Sequence, residues 1–345
     1  GPKPGRTELM TGPDCNGHQN PCVFVVGCPR SGTTLAQRML DAHADLVVAN
    51  DTHFITRAAK RELRRQADPA LDAVLVERVV SYHRFHRMGL QRDDVMAAAS
   101  GARTYSVFVS RLYDIRAERA GKTLSGEKTP DYCRKMPVLH RLFPFARFIH
   151  VVRDGRDTAL STLRWAAKGK GPGRWRLWQE DPVGSCALWW RWQVGTARRD
   201  GAALGESTYR EVRYEALVAD PESELRGICA FLGIAYDARM PRFHEGKSRV
   251  GKGRSAKSAW LGPTPGLRNW RDEMGDEDAA VFDAIAGELL DKTGYERKTY
   301  ATSQQVGARV RLCLDWWADS GMGVEGATQR EPVERDLALD GMKTA

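Results

Sequence analysis

The chain has 345 residues, of which 42% are hydrophobic and 28% charged, and its formal net charge is +9. This composition is typical of a globular protein. It contains no run of about 18 apolar residues, which argues against a membrane span. The positive charge fits a polyanionic ligand, a nucleic acid or a membrane surface. The basic residues are spread along the chain with no dense tract, which argues against nucleic acid.

The amino-terminal region predicts little regular structure. Residues 1–21 are rich in Gly, Pro and polar groups and are expected to form a flexible leader. We recognise no secretory signal and therefore expect a cytoplasmic protein. Because Gly1-Pro2 resembles the remnant of a cleaved tag, a removed targeting or anchor segment stays an open alternative. The seven cysteines form no Cys-x-x-Cys pair, which argues against a zinc site; a Cys15–Cys22 bridge stays open for an oxidising compartment.

Strand-like and helical segments alternate after the leader. Residues 22–27 form a short apolar run that suits a buried parallel strand. A helical pattern follows over residues 34–43 and a short strand over residues 46–48. The next segment, about residues 54–120, is mainly amphipathic and Arg-rich, and we interpret it as a helical insertion.

The remainder of the domain repeats this alternation. We expect strands at 123–127, 147–152 and 207–213, and helices at 137–143, 156–165, 187–199 and 221–232, the last ended by Gly233. A Gly-, Pro- and Arg-rich stretch predicts a loop over 168–184. The alternation indicates an α/β fold, a P-loop-type parallel sheet flanked by helices on both faces with the helical insertion. We expect this domain to cover 22–300, followed by a C-terminal helix and mobile tail over 301–345.

The segment after the first strand has the layout of a phosphate-binding loop. It reads Gly27-Cys28-Pro29-Arg30-Ser31-Gly32 and leads into a helix, and such a turn holds an anion with its backbone N–H groups and the helix N-terminus. A loop for ATP or GTP places Lys after the second Gly, where this chain has Thr33, and the cation is Arg30 upstream. Without that Lys the loop is poorly equipped for a magnesium triphosphate. It suits a 5′-phosphosulfate, which needs no metal.

The run Pro29-Arg30-Ser31-Gly32-Thr33-Thr34-Leu35 resembles the 5′-phosphosulfate loop of sulfotransferases that use 3′-phosphoadenosine-5′-phosphosulfate (PAPS). Its continuation through Met39-Leu40-Asp41-Ala42-His43 is similar to the tyrosylprotein sulfotransferase branch and its bacterial relatives. The resemblance implies PAPS as donor, adenosine 3′,5′-bisphosphate as product and no metal requirement. It also implies donor-binding roles for Arg30, Ser31, Gly32, Thr33, Thr34 and Leu35.

The same resemblance implies a second anion site for the 3′-phosphate of the donor. Arg153, at the end of a buried strand, and Ser161 match the family's Arg and Ser, and a guanidinium is well suited to phosphate oxygens. Tyr214 matches a family Tyr near that phosphate; a solvated turn around Arg153 and core packing of Tyr214 are the alternatives. Ser255 and Lys257 fall where relatives close a loop over the donor.

Three residues are candidates for the chemistry. Asp51 occupies the place where the resembling family has a Glu as catalytic base, and His53, with an ordinary pKa of about 6.5, is a second candidate base. Lys128 matches the family residue that stabilises the leaving oxygen. The alternatives are that Asp51 is a helix N-cap and that Lys128 is a surface lysine.

The expected function is therefore transfer of a sulfuryl group from PAPS to an acceptor hydroxyl by in-line displacement. The acceptor is left open among small molecules, tyrosyl or other phenolic groups, peptides and carbohydrates, and a homodimer is also left open. Six tryptophans between residues 165 and 192 fit either core packing or an acceptor cleft. The rival functions are a P-loop nucleotide-dependent kinase or NTPase, and a scaffold that binds the nucleotide without chemistry.

Overall fold

The computed structural model describes residues 19–245, 262–266, 268–301 and 303–322. The chain divides into two compact units, which we call the sheet unit and the helical unit. The sheet unit comprises Gly1–Arg153 and Gln193–Leu267, and the helical unit comprises Asp154–Trp192 and Arg268–Ala345. The predictions for Cys15, Ser255, Lys257 and the tail beyond Met322 lie outside the described residues.

The sheet unit contains a five-stranded parallel sheet with the strand order β2-β3-β1-β4-β5. Its strands are β1 (Val23–Val26), β2 (Leu46–Asn50), β3 (Leu124–Lys128), β4 (Arg147–Val152) and β5 (Tyr209–Arg213). The chain runs from central β1 to one side of the sheet and then to the other. Such a reversal opens a crevice at the carboxyl ends of the strands, where α/β sheets bind their ligands. The predicted parallel α/β sheet is confirmed.

Thirteen α-helices lie within the described residues. They are α1 (Thr33–Asp41), α2 (Phe54–Arg57), α3 (Ala73–Val80), α4 (Arg92–Ala99), α5 (Tyr105–Arg119), α6 (Met136–Leu142), α7 (Gly155–Ala166), α8 (Pro182–Leu204), α9 (Tyr214–Ala219), α10 (Pro221–Leu232), α11 (Trp270–Glu273), α12 (Asp276–Lys292) and α13 (Gln304–Ser320). The helices α2 to α5 form the predicted insertion between β2 and β3. Gly233 ends α10 in the left-handed conformation, at φ 69°, as predicted.

Both faces of the sheet are buried, because alternate residues of β1 enter two different hydrophobic clusters. Phe24 and Val26 belong to the cluster that includes side chains of the helical insertion and α6. Val23 and Val25 belong to the cluster that includes side chains of α1, α9 and α10. Burial on both faces explains why β1 and β4 are continuous apolar runs that could be recognised in the sequence.

The stretch predicted as a loop over 168–184 is more ordered than expected. It contains short 3-10 turns at Gly171–Arg174 and Arg176–Gln179, and α8 already begins at Pro182. Proline suits the first turn of a helix because its missing N–H has no intrahelical acceptor there. The Gly- and Pro-rich composition therefore concealed both the turns and the start of α8.

The helical unit is organised around a fully buried guanidinium. Arg156 in α7 forms ion pairs with Asp154, at 2.9 Å, and with Asp283 of α12, at 3.2 Å. Its guanidinium lies 3.8 Å from the ring centroid of Trp270, the first residue of α11. Two carboxylates and an aromatic face compensate the burial of this charge and join three helices.

A second feature of the helical unit is an aromatic cluster between α8, α13 and the preceding 3-10 turns. Its members are Trp175, Trp189, Trp192, Trp316 and Trp317, with ring centroids 5.1 to 6.0 Å apart in tilted or edge-to-face pairs. Such geometry stabilises aromatic packing. Among the described helices, none is both long and apolar enough to cross a bilayer.

Candidate active site

Residues predicted for the site follow the carboxyl ends of all five strands. The loop with Arg30 follows β1, Asp51 follows β2, Lys128 is the last residue of β3, Arg153 follows β4 and Tyr214 follows β5. Because parallel strands end at the same edge of a sheet, positions far apart in the sequence are brought to one rim.

The loop after β1 has a constrained backbone. Arg30 has a φ of 80° and Gly32 a φ of 96°, both in the left-handed region. Gly32 is the N-cap of α1 and offers no side chain to its first N–H groups, which leaves the positive helix end for an anion. The hydroxyl of Ser31 donates to the Val151 carbonyl at 3.1 Å and so ties the loop to β4. Leu35 is buried in the core, so its side chain lies away from this rim.

Tyr214 connects this loop with the candidate second anion site. A Cβ atom on Gly32 would lie 2.2 Å from Cδ2 of Tyr214, so the ring rests directly against the loop backbone. On the same aromatic residue, the guanidinium carbon of Arg153 lies 4.4 Å from the ring centroid. Tyr214 is buried in a hydrophobic cluster, as one alternative expected, and its ring also contacts both predicted anion-binding elements. The close approach also shows a backbone cradle that only glycine fits.

Replacing Gly32 by Ala is expected to lower the affinity for adenosine 3′,5′-bisphosphate by about tenfold or more. The new Cβ would collide with Tyr214, and a left-handed backbone costs a residue other than glycine on the order of 1–3 kcal/mol. Titration calorimetry measures the change. Gly121→Ala is the matched control, because Gly121 also has a positive φ, of 66°, but a Cβ there meets no atom within 4 Å. Equal affinity of the two variants would contradict this role of the loop.

An ion pair between Asp51 and Lys128 forms the centre of the site. Nζ of Lys128 lies 3.0 Å from Oδ1 of Asp51 and 3.3 Å from the hydroxyl oxygen of Thr34 in the phosphate-binding loop. The Lys128 side chain is only 1% exposed, whereas that of Asp51 is 30% exposed. Burial lowers the pKa of Lys128, and the Asp51 carboxylate opposes this effect. Lys128 is therefore not a surface lysine.

The backbone around Asp51 forms a tight turn. Asp51 and His53 have φ values of 56° and 59°, and the Asp51 N–H donates to the Lys128 carbonyl at 2.7 Å. Nη1 of Arg87, from the insertion, lies 3.8 Å from Oδ2 of Asp51 and 3.4 Å from the Asp51 carbonyl oxygen. The N-cap of α2 is His53, so the alternative of Asp51 as an N-cap is wrong.

His53 differs from a typical titrating base. Burial lowers its pKa to about 4, although the carboxylates of Asp131 and Asp51 oppose this shift. The imidazole is then neutral at neutral pH and is a weaker proton acceptor than an exposed histidine. Its role in catalysis stays a prediction.

Replacing His53 by Asn is expected to leave the shape of the pH profile of kcat/KM unchanged between about pH 5 and pH 8. The group already stays neutral over that range, and Asn tolerates the left-handed φ of this position. Measuring kcat/KM across the range for both proteins tests this point. An inflection in the wild type that disappears in the variant would show that His53 titrates during catalysis.

A buried carboxylate that was not predicted from the sequence lies beneath this turn. Glu127, the neighbour of Lys128 in β3, accepts hydrogen bonds from the Thr52 N–H and the hydroxyls of Tyr113 and Thr129. Arg87 was missed as well. A charged residue inside a buried strand was the available signal for Glu127, whereas nothing local indicated Arg87.

The remaining predicted residues are placed as follows. Thr33 is buried in the first turn of α1, and Thr34 contacts Lys128 as described. Ser161 lies in α7, within the helical unit, and its role at the 3′-phosphate stays a prediction.

Comparisons with known proteins agree with this geometry. The family model described as "Sulfotransferase family" matches residues 21–238. Protein-tyrosine sulfotransferase A of Caenorhabditis elegans is 27% identical over 64% of this chain and 52% of its own length. Human protein-tyrosine sulfotransferase 1 is 27% identical over 71% of this chain and 62% of its own length. The chain thus spans little more than half the length of these relatives.

A solved structure supports the fold. The sulfotransferase domain of the Synechococcus PCC 7002 olefin synthase superposes with a TM-score of 0.58 at 22% identity, covering 81% of this chain and 96% of that domain. The family match includes all five strands, the phosphate-binding loop and the Asp51–Lys128 pair. The chain belongs to the sulfotransferase family.

Proposed function

We propose that this protein transfers the sulfuryl group of PAPS to an acceptor hydroxyl, with Asp51 as the general base. The observation that carries the proposal is the ion pair of Asp51 with buried Lys128, placed beside Thr34 of the phosphate-binding loop. This arrangement puts a proton acceptor and a cation next to the helix end that holds an anion. In-line displacement of a sulfuryl group needs these three elements.

The residues around the loop fit the donor nucleotide. The backbone of Ser31, Gly32 and Thr33 would hold the 5′-phosphosulfate, because α1 begins there without a side-chain cap on its first N–H groups. Arg153, stacked on Tyr214, would hold the 3′-phosphate. Arg30 and Ser161, with Ser255 and Lys257, complete the proposed set by resemblance. The bound donor supplies a sulfuryl group activated by its link to phosphate.

The side chains of this chain divide the work of transfer. A carboxylate oxygen of Asp51 takes the proton of the acceptor hydroxyl while the hydroxyl oxygen of the acceptor bonds to sulfur. Lys128 donates to the oxygen that receives the electron pair of the breaking sulfur–oxygen bond, and so offsets the charge that builds there. In the 3.0 Å ion pair, the positive charge of Lys128 and the negative charge of Asp51 compensate each other. We infer that Lys128 exchanges its contact with Asp51 for one with the donor.

A tyrosyl hydroxyl is the acceptor that we propose first. Both relatives described above are named protein-tyrosine sulfotransferases, which supports a tyrosyl group in a peptide or protein over a carbohydrate or an aliphatic alcohol. The partner would then be a peptide or protein that presents tyrosine at the rim of the sheet.

Titration calorimetry with two nucleotides tests the donor half. We expect binding of adenosine 3′,5′-bisphosphate without metal and no measurable binding of ATP with magnesium, because Thr33 replaces the lysine that a triphosphate loop needs. Binding of magnesium ATP alone would favour the kinase or NTPase alternative. Binding of the bisphosphate without sulfuryl transfer to any tested phenol, tyrosyl peptide, sugar or alcohol would favour the non-catalytic scaffold.

A further inference from the structure

Glu127 is a buried carboxylate that the proposed chemistry does not use. It precedes Lys128 in β3, and its side chain is 0% exposed. Burial raises its pKa, and hydrogen bonds from Thr129, Tyr113 and Thr52 oppose the rise. A carboxylate in such a place is costly unless its oxygens are hydrogen-bonded. Its partners therefore indicate what it does.

Three donors from three parts of the sheet unit meet the two oxygens of Glu127. The hydroxyl of Tyr113, in α5, donates to Oε2 at 2.7 Å. On the other side, Oε1 accepts from the hydroxyl of Thr129 and from the backbone N–H of Thr52 at 3.1 Å. In every contact the carboxylate is the acceptor, so these bonds require no proton on Glu127.

Thr52 is the middle residue of the turn that carries the proposed base. Its neighbours Asp51 and His53 both have a left-handed φ, and each such residue costs on the order of 1–3 kcal/mol unless its surroundings fix it. Two successive N–H groups of the turn are held by neighbouring residues of β3. The Asp51 N–H donates to the Lys128 carbonyl at 2.7 Å, and the Thr52 N–H donates to the Glu127 side chain.

We propose that Glu127 is a positioning residue, which holds the Asp51–His53 turn through the Thr52 N–H and thereby aims Asp51 at Lys128. The inference rests on the proposed function of Asp51. Glu127 lacks the exposure needed to exchange a proton with an acceptor. Catalysis therefore depends on the length of its side chain and not on its charge. The position of Asp51 that it maintains is the one that lies 3.0 Å from Lys128 in the free protein.

Two variants of Glu127 separate the effect of its side-chain length from the effect of its charge. Glu127→Gln keeps the length and an acceptor oxygen for Thr52 but loses the charge, and we expect a kcat within about threefold of wild type. Glu127→Asp keeps the charge but shortens the side chain by one methylene, and we expect kcat to fall by about tenfold or more. Affinity for adenosine 3′,5′-bisphosphate should change less than about threefold in both. A proton-transfer role predicts the opposite order of kcat and would overturn the proposal.

Tyr113→Phe is the matched control, because it removes the hydrogen bond to Oε2 of the same carboxylate and leaves the contact of Oε1 with the Thr52 N–H. We expect a lower Tm but a kcat within about twofold of wild type. If kcat fell with Tm to the same extent in Tyr113→Phe and Glu127→Asp, Glu127 would be a structural residue only, and the proposal would be wrong.

Hydrogen exchange of the Thr52 amide keeps this test independent of activity. NMR should show slow exchange in wild type and Glu127→Gln and faster exchange in Glu127→Asp, because only the shortened side chain releases the N–H. Equal exchange in all three proteins would overturn the positioning role even in an active enzyme. Protection that follows this order in a protein without transfer activity would refute the proposed function alone and leave the contact established.

Discussion

Replacing Asp51 by Asn is expected to lower kcat by on the order of 10²- to 10⁴-fold, the range for loss of a general base. Asn has nearly the same shape, tolerates the left-handed φ of 56° and can still accept a hydrogen bond from Lys128. The variant therefore loses proton acceptance with little change in the turn. Affinity for adenosine 3′,5′-bisphosphate should stay within about threefold, as measured by calorimetry beside steady-state kinetics.

Asp45→Asn provides the matched control for this experiment. Asp45 is exposed and precedes β2, at the end of the strand opposite Asp51. The control removes the same charge from the same strand without touching the rim, so kcat should stay within about twofold of wild type. Full turnover by Asp51→Asn would remove Asp51 from the mechanism and leave His53 as the candidate base.

Replacing Lys128 by Met should lower kcat by on the order of 10²- to 10³-fold, comparable with the loss of one donor that stabilises developing negative charge. Methionine approximates the length of the lysine side chain, which limits the cavity left at this buried position. Because the donor's phosphates have other proposed ligands, affinity for adenosine 3′,5′-bisphosphate should fall much less than kcat. Steady-state kinetics and calorimetry separate the two quantities.

Lys122→Met is the control for the loss of a lysine from this part of the fold. Lys122 lies just before β3, at the end opposite Lys128, and its Nζ donates to the carbonyls of Asp41 and Leu46. The control should lower Tm and leave kcat within about twofold. An equal loss of affinity and kcat in Lys128→Met would make Lys128 a donor-binding residue without a specific role in the transition state.

Combining Asp51→Asn with Lys128→Met extends this prediction. The two side chains are in contact at 3.0 Å and are proposed to act on one transfer step. Residues that act as a unit show non-additive effects. The double variant should therefore have a kcat little lower than that of the less active of the two single variants. Multiplication of the two losses would mean that the groups act independently.

Much of the sheet could be predicted from local sequence. β1 and β4 are continuous apolar runs because both of their faces are buried, and the predicted bounds of β4 agree with the structure. The strand order could not be predicted, because it depends on pairing between distant segments, such as Val23 with Arg147. The helices α9, α11 and α12 were not identified, and a Gly- and Pro-rich composition hid the beginning of α8.

The residues of the candidate site that could be predicted are those that lie beside a recognisable local sequence pattern. The phosphate-binding loop, Asp51 and Lys128 each stand next to a recognisable strand, and the structure brings them into contact. The hydrogen bond from the Thr52 N–H to Glu127 could not be predicted, since the two residues are 75 positions apart in the chain. Such a contact depends on β2 and β3 being neighbours in the sheet, and no local pattern specifies that pairing.

Transfer of radioactive sulfur from labelled PAPS tests the central claim most directly. Wild-type protein would be incubated with the donor, a chelator of divalent metals and tyrosyl peptides, phenols, sugars or alcohols in separate reactions. We predict label on the tyrosyl peptide, an equal amount of adenosine 3′,5′-bisphosphate and loss of both in Asp51→Asn. Absence of label from every acceptor, under conditions where wild type binds the bisphosphate, would contradict sulfuryl transfer to a hydroxyl.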